Sequence, residues 1–299
     1  MLYDILLDVG GTGIKGGYYN TGKNILSDSY NFISNSDKEK DVIIKHFITI
    51  CGRIWEQIHD DNKRIRSIRM AFPGPFDYGK GISKIKGLAK YESLYSVSIP
   101  DEMIHLGIKE NYDFIPRSNN DFQFVNDVEA YALGAMNKRN LYQGYRVIYV
   151  CIGTGCGSAF SIDGQISTDR SQGIPENGWI YSLPFKDMVI DEYISARGIN
   201  KLALRYCNQA LSPLELSKIA ENGNKEAIQA YKEFGDDLAA ALLPLLKQFK
   251  ANTLVIGGNI SRSSDLFISP LKESCKALGV DLIIESDTSR LTMLGLTTL

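Results

Sequence analysis

The chain lacks most of the features that mark out specialised protein classes. Its five cysteines (Cys51, Cys151, Cys156, Cys207 and Cys275) are odd in number, widely spread and never arranged as Cys-x-x-Cys. Neither a disulfide framework nor a zinc ribbon is therefore expected, and the thiols read as small buried apolar groups. Net charge is -2, and lysine and arginine form no long stripe. The electrostatic footprint of a nucleic-acid binder is missing, so no nucleic-acid partner is expected. No apolar run approaches the roughly 18 residues a membrane span needs, so no membrane association is expected. The opening residues Met1-Leu2-Tyr3-Asp4-Ile5-Leu6-Leu7-Asp8 run straight into an apolar strand, with no basic leader or small-residue cleavage site. A cytoplasmic location is the expectation.

What is present is an ordinary globular composition. With 299 residues and 44% hydrophobic content, there is material for two packed domains. Strands and helices alternate along the chain. Residues 3–8, 14–19 and 25–32 read as an antiparallel meander with tight turns at Gly10-Gly11 and Thr21-Gly22-Lys23. Residues 37–59 carry Val42, Ile43, Phe47, Ile50, Ile54 and Ile58 near a 3.6-residue period, which predicts a helix with one apolar face. A strand over 67–72 follows. Residues 73–116 read as loop with short elements around 100–106. A second round then begins with strand 122–125, helix 128–137, and strands 147–152 and 158–162 joined by a glycine turn. Helices over about 186–206, 213–221 and 226–249 come next. The chain closes with strand 254–256, a helix through 266–278, strand 280–284 and a last helix near residue 299.

The strand, glycine turn, strand unit occurs twice, at Asp8-Val9-Gly10-Gly11-Thr12-Gly13-Ile14-Lys15 and at Gly153-Thr154-Gly155-Cys156-Gly157. Glycine permits close approach and positive φ, so each turn can offer several backbone N–H groups to an anion. Two such turns suit one polyphosphate. Lys15, Thr12 and Thr154 would add donors, and Asp8 at a strand end is placed to hold Mg²⁺. A plain hairpin is the competing reading for either turn alone. Neither turn matches a P-loop or a Gly-x-Gly-x-x-Gly fingerprint before a helix.

Asn126-Asp127 marks a strand-to-helix junction. Asp127 either caps that helix or acts as general base on a substrate hydroxyl, with Asn126 orienting the alcohol. Leu254-Val255-Ile256-Gly257-Gly258-Asn259 turns an apolar strand through two glycines, which would let a base or ribose lie against bare backbone; a simple strand-to-helix turn is the alternative.

In order along the chain, Asp8 to Lys15, Phe72-Pro73-Gly74-Pro75, Val125-Asn126-Asp127-Val128-Glu129-Ala130, Ile152 to Gly157 and Val255-Ile256-Gly257-Gly258 resemble the motifs of the ROK sugar kinases and repressors. The resemblance covers nearly the whole sequence. It implies an α/β protein of two actin-like (ribonuclease H-like) domains flanking a nucleotide and sugar cleft. The small domain would comprise residues 1–124 joined by the C-terminal helix at about 288–299, and the large one residues 125–287. It further implies ATP and Mg²⁺ as cofactors and a homodimer. ATP would be met by Asp8, Gly10, Gly11, Thr12, Lys15, Gly153, Thr154, Gly155, Gly257 and Gly258, with Asp8 as the Mg²⁺ ligand. Asp127 would be catalytic, and Asn126, Gly74, Glu176 and Asp191 would bind the acceptor.

The departures concentrate in the acceptor region. The family commonly has Gly-Glu-x-Gly-His after the second phosphate loop and, in many members, a zinc-binding cysteine cluster. This chain reads Gly178-Trp179-Ile180-Tyr181-Ser182-Leu183-Pro184, with no cysteine again before Cys207. Trp179 and Ser182 stand where the family's sugar-binding Glu and His would fall, and no zinc site is expected. Asp191, with Glu192 beside it, falls where a second sugar-binding Glu would be. Trp179 either stacks on a sugar ring or fills a core position. Glu176 and Asn177 are candidates to recover lost hydroxyl contacts. An ATP-dependent sugar kinase is the favoured reading, with a non-catalytic sugar- or nucleotide-sensing protein as the alternative. A repressor is disfavoured because the first strand leaves no room for an N-terminal helix-turn-helix.

Overall fold

The computed structural model describes all residues, 1–299. They form two compact units, residues 1–134 with 289–299, and residues 135–288.

The first unit is built on a six-stranded sheet. Strands β1 (Leu2–Val9) and β2 (Gly13–Asn20) pair antiparallel, and β3 (Ile25–Leu26) and β4 (Tyr30–Ile33) both add to β2. The single strand expected over 25–32 is thus two short ones. Ser27 separates them, its N–H donating to the Tyr18 carbonyl and its hydroxyl to the Asp28 carbonyl. Helix α1 (Lys40–Glu56) buries Ile43, Phe47, Ile50 and Ile54 of the predicted stripe, while Val42 is exposed and Ile58 lies beyond the helix end. Strand β5 (Arg64–Phe72) joins β1 in parallel; after the small β6 (Phe76–Asp77) and β7 (Ile82–Ser83) ribbon comes helix α2 (Ile99–Lys109). That helix lies in the stretch expected to be mostly loop. Its N-terminus is set by Ser98, which accepts the Asp101 N–H, and by Pro100 in the first turn. Strand β8 (Phe122–Asn126) then pairs in parallel with β5 and runs into helix α3 (Asp127–Arg139).

The second unit repeats the plan. In its sheet β9 (Arg146–Ile152) and β10 (Cys156–Ile162) pair antiparallel, with β11 (Gln165–Ile166) beyond β10. A separate ribbon follows, β12 (Pro184–Phe185) with β13 (Met188–Val189). The helix expected over 186–206 is interrupted. It consists of α4 (Ile190–Tyr193) and α5 (Ala196–Cys207), because Ser195 is extended and caps α5 by accepting the Arg197 N–H. Helices α6 (Pro213–Glu221) and α7 (Lys225–Phe249) lead to β14 (Thr253–Gly257), helix α8 (Ser269–Leu278) and β15 (Asp281–Ile284). Strand β14 is parallel to both β9 and β15. The strand orders β3-β2-β1-β5-β8 and β11-β10-β9-β14-β15 are the same arrangement made twice. The last helix, Thr288–Leu296, carries most of the segment that returns to the first unit. No helix is long and apolar enough to cross a membrane.

Candidate functional site

In the first unit the register brings the predicted groups to one end of the sheet. Asp8 of β1 lies opposite Ala71 of β5, and Ala71 opposite Val125 of β8. Asp8, the turn at Gly74 and the Asn126-Asp127 pair therefore leave the carboxyl ends of adjacent parallel strands, where open α/β sheets bind ligands. Burial, and then the charge of Asp127, push the Asp8 carboxyl up to about 7, with Lys15 opposing them. Burial also raises the Asp127 carboxyl, against the attraction of Lys90 and the Val128 N–H. Burial thus holds both carboxyls above the ordinary carboxylate range.

Capping of α3 is divided between the neighbours. Asn126 Oδ1 accepts the N–H groups of Val128 at 2.9 Å and Glu129 at 3.3 Å, while Asp127 Oδ1 shares only that of Val128 at 3.0 Å. The Asn126 amide donates to the Tyr78 hydroxyl at 3.1 Å, and Tyr78 donates to the Phe72 carbonyl at 3.2 Å. Gly74 belongs to this group, since a Cβ there would stand 3.2 Å from the Tyr78 hydroxyl and 3.9 Å from the Asn126 amide nitrogen.

The first glycine turn is held from behind by its carbonyls. Gly10 N–H closes the turn on the Gly13 carbonyl at 3.0 Å, and the Tyr91 hydroxyl donates to the Gly10 carbonyl at 2.9 Å. Ser34 and Ser36 both donate to the Gly11 carbonyl at 2.6 Å. The N–H groups of Gly11 and Thr12 have no protein acceptor, which is the arrangement an anion-binding turn requires. Lys90 lies across Gly11, its Cδ 3.0 Å from where a Cβ would be, and Lys15 donates to Ser289 of the C-terminal helix.

The second turn, in the other unit, is built in the same way. Gly153 N–H bonds to the Gly155 carbonyl at 2.9 Å, and Ala196 N–H at the start of α5 takes the Gly153 carbonyl at 2.9 Å. Asp191 is part of the brace. Its Oδ1 accepts the Cys156 N–H at 2.7 Å, and its other oxygen pairs with Arg197, which also reaches the Thr154 carbonyl at 3.4 Å. Thr154 stands exposed at the tip. Gly257 and Gly258 end β14 buried. Gly258 has φ +94°, and a Cβ there would come within 2.1 Å of the Ile152 carbonyl. Its N–H donates to Thr288 Oγ1 at 2.6 Å. Close approach to β9 thus demands a glycine at 258.

Glu176 is exposed in a short 3₁₀ turn, and Trp179 stands half out of the surface instead of in the core. Cys156 is buried, as its packing role implies, and burial raises its thiol far above the usual range. No group of three or more His, Cys, Asp or Glu side chains is assembled that could hold a metal by itself. Sequence reasoning missed Lys90, Tyr78, Ser289 and Arg197. Each sits outside every glycine motif, and only the strand register and loop packing bring them in.

These paired glycine turns and strand-end carboxylates belong to a recognisable class. The ROK family model matches residues 5–281, and the chain belongs to the ROK family. It is similar to the N-acetyl-D-glucosamine kinase of Photobacterium profundum, with 25% identity over 171 residues, 51% of this chain and 56% of that protein. The chain thus spans little more than half the length of the curated relative it matches. Among solved structures it resembles a ROK family glucokinase from Streptomyces griseus in complex with glucose and AMPPNP, with TM-score 0.73 and 16% identity, covering 99% of this chain and 98% of that one. It also resembles a ROK family transcriptional regulator, a homologue of the E. coli MLC protein, with TM-score 0.76 and 14% identity, covering 99% of this chain and 76% of that one. These likenesses establish the fold, the actin-like (ribonuclease H-like) α/β class implied by the motifs.

Proposed function

We propose that the chain is an ATP-dependent sugar kinase, a phosphotransferase whose acceptor is a sugar hydroxyl. The observation that carries this reading is the placement of Asp127: a carboxylate at the start of α3, with its pKa raised by burial, beside Asp8 and opposed by Lys90. A general base gains from a raised pKa, because it then accepts a proton more readily near neutral pH. Asp127 takes the proton of the attacking hydroxyl. Asn126 has both lone-pair sites of its oxygen and one amide hydrogen engaged, so its second amide hydrogen is what remains for the acceptor. Gly74 keeps backbone close to that point, and Glu176 and Asp191 complete the acceptor contacts.

The nucleotide side rests on the two braced turns. Gly10, Gly11 and Thr12, with Lys15, are the proposed ATP contacts of the first unit; Gly153, Thr154, Gly155, Gly257 and Gly258 are those of the second, each unit taken by itself. The Streptomyces griseus relative was crystallised with AMPPNP, which supports ATP as donor. Asp8, near the end of β1, would hold Mg²⁺ as an oxygen ligand. When bound, the ion would neutralise charge on the phosphates. A homodimer acting in the cytoplasm is the setting proposed.

The second reading is a ROK protein that binds sugar without phosphorylating it. The likeness to the transcriptional regulator favours it. A coupled ADP-release assay over hexoses and amino sugars tests the choice. Sugar-dependent ADP release supports the kinase; sugar binding with no release at any sugar supports the sensor.

A further inference from the structure

Two lysines stand at the first glycine turn, and only one of them is engaged. Lys15 donates to Ser289, whereas the Lys90 ammonium makes no hydrogen bond and no ion pair. The stem of Lys90 runs along the turn, with Cδ 3.0 Å and Cβ 3.8 Å from where a Cβ on Gly11 would stand. The ammonium is only two bonds beyond Cδ, so it stays within short reach of the Gly11 and Thr12 N–H groups, which have no protein acceptor.

The backbone holds Lys90 in that place. Left-handed residues flank it on both sides, Ala89 at φ 53° and Tyr91 at φ 54°. Residues other than glycine take this conformation only where their surroundings impose it. Tyr91 is fully buried; its N–H donates to the Ser36 carbonyl at 2.6 Å and its hydroxyl to the Gly10 carbonyl at 2.9 Å. Ser36 in turn donates its hydroxyl to the Gly11 carbonyl, and the Ala89 N–H is fixed on the Glu92 carboxylate at 2.8 Å. Loop and turn are one hydrogen-bonded body.

Charge gives the placement a use. Asp8 and Asp127 lie in the same unit, and Asp127 feels Lys90: burial raises its carboxyl, and the ammonium draws it down. An anion brought to the turn meets the field of both carboxylates, and a fixed cation near the turn and near Asp127 offsets that repulsion. In ATP the group that must come closest to the attacking hydroxyl, and so to its base, is the γ-phosphoryl.

We infer that Lys90 is a direct ligand of the γ-phosphoryl group of ATP and a catalytic residue of its transfer. This rests on the sugar-kinase reading for its chemistry, though the binding it implies needs no turnover. In the transfer the sugar oxygen bonds to Pγ, and the bond from Pγ to the bridging oxygen breaks with its electron pair leaving on ADP. The hydroxyl proton passes to Asp127. Lys90 keeps its own proton throughout and supplies only positive charge to the remaining γ-oxygens.

The test is calorimetric titration of the full chain, and of Lys90→Met, Lys90→Gln and Lys90→Arg, with AMPPNP and with ADP in the presence of Mg²⁺. ADP has no γ-phosphoryl, so its binding controls for the fold and for the rest of the nucleotide site. The wild type should bind AMPPNP about tenfold more tightly than ADP, and Lys90→Met and Lys90→Gln should lose that preference while ADP affinity stays within about twofold. Lys90→Arg should retain part of it. With a sugar that is phosphorylated, kcat of Lys90→Met should fall by about 10². The inference is overturned by a wild type that binds neither nucleotide or shows no AMPPNP preference, by a preference that survives in Lys90→Met, or by an equal loss of both nucleotides. An unchanged kcat in Lys90→Met overturns it as well, with the kinase reading intact. A preference that is lost with Lys90, in a chain that releases no ADP with any sugar, sustains the γ-phosphoryl contact and removes the kinase reading.

Discussion

Gly134 of α3 and Gly295 of the C-terminal helix meet backbone to backbone. A Cβ on Gly134 would stand 1.8 Å from the Leu291 carbonyl oxygen, and one on Gly295 would stand 1.8 Å from that of Ala130. No side-chain rotation can relieve either clash, so the two helices can lie this close only with glycine at both positions. The same helix pair holds functional groups at its ends: Asp127 opens α3, and Ser289 of the partner helix receives Lys15. Arg69 locks the far end, donating to the Leu296 carbonyl at 2.8 Å.

Gly134→Ala should therefore push the helices apart and cost about 3 kcal/mol or more, at the upper end of overpacking penalties. Urea unfolding followed by circular dichroism measures it. Gly22→Ala, at a turn where the nearest atom to a Cβ is 3.7 Å away, should change stability by less than about 0.5 kcal/mol. Equal effects at the two sites would show that the helix contact is loose.

The acid limb of the pH–rate profile should sit above the ordinary carboxylate range of about 4. As the proposed general base Asp127 would work only when deprotonated, and burial raises its pKa, so activity should be lost on acidification earlier than with an exposed aspartate. A kcat/KM that stays flat down to about pH 4 would contradict that assignment.

Gly11→Val should raise the KM for ATP by crowding the turn whose N–H groups are free, and should leave the fold intact because the nearest obstacle is the flexible Lys90 chain. Unchanged ATP dependence would place the nucleotide elsewhere.

Arg197→Ala should raise the KM for ATP several-fold with a small effect on kcat. It frees Asp191 from its ion pair and leaves a bare carboxylate at the loop that is to meet phosphate. Double substitution with Asp191→Asn should restore part of the loss, which steady-state kinetics at varied ATP would read; no rescue would mean that Arg197 acts independently of Asp191.

The sequence was legible where local chemistry dictates geometry. Glycines between apolar strands marked both turns, and the 3.6-residue stripe of α1 was legible except at Val42, which is exposed, because each signal lies within a few residues. Helix α2 was obscured by Pro100 and Gly107, both residues that weaken helix expectation yet sit in its first turn and against Ile115. The break between α4 and α5 depends on one extended serine. Lys90 acts on Asp127 through its charge and Ser289 accepts from Lys15 across long sequence separations, and no periodicity encodes such relations. Gly258 also has a packing role that the motif did not reveal: a Cβ there would meet the Ile152 carbonyl.

The most direct measurement is sugar-dependent ADP release by wild type and Asp127→Asn across hexoses, amino sugars and disaccharides, with ATP affinity determined in parallel. The variant should bind ATP as the wild type does while kcat falls by about 10² to 10⁴. A variant that phosphorylates sugar as fast as the wild type would contradict the assignment of Asp127 as the general base.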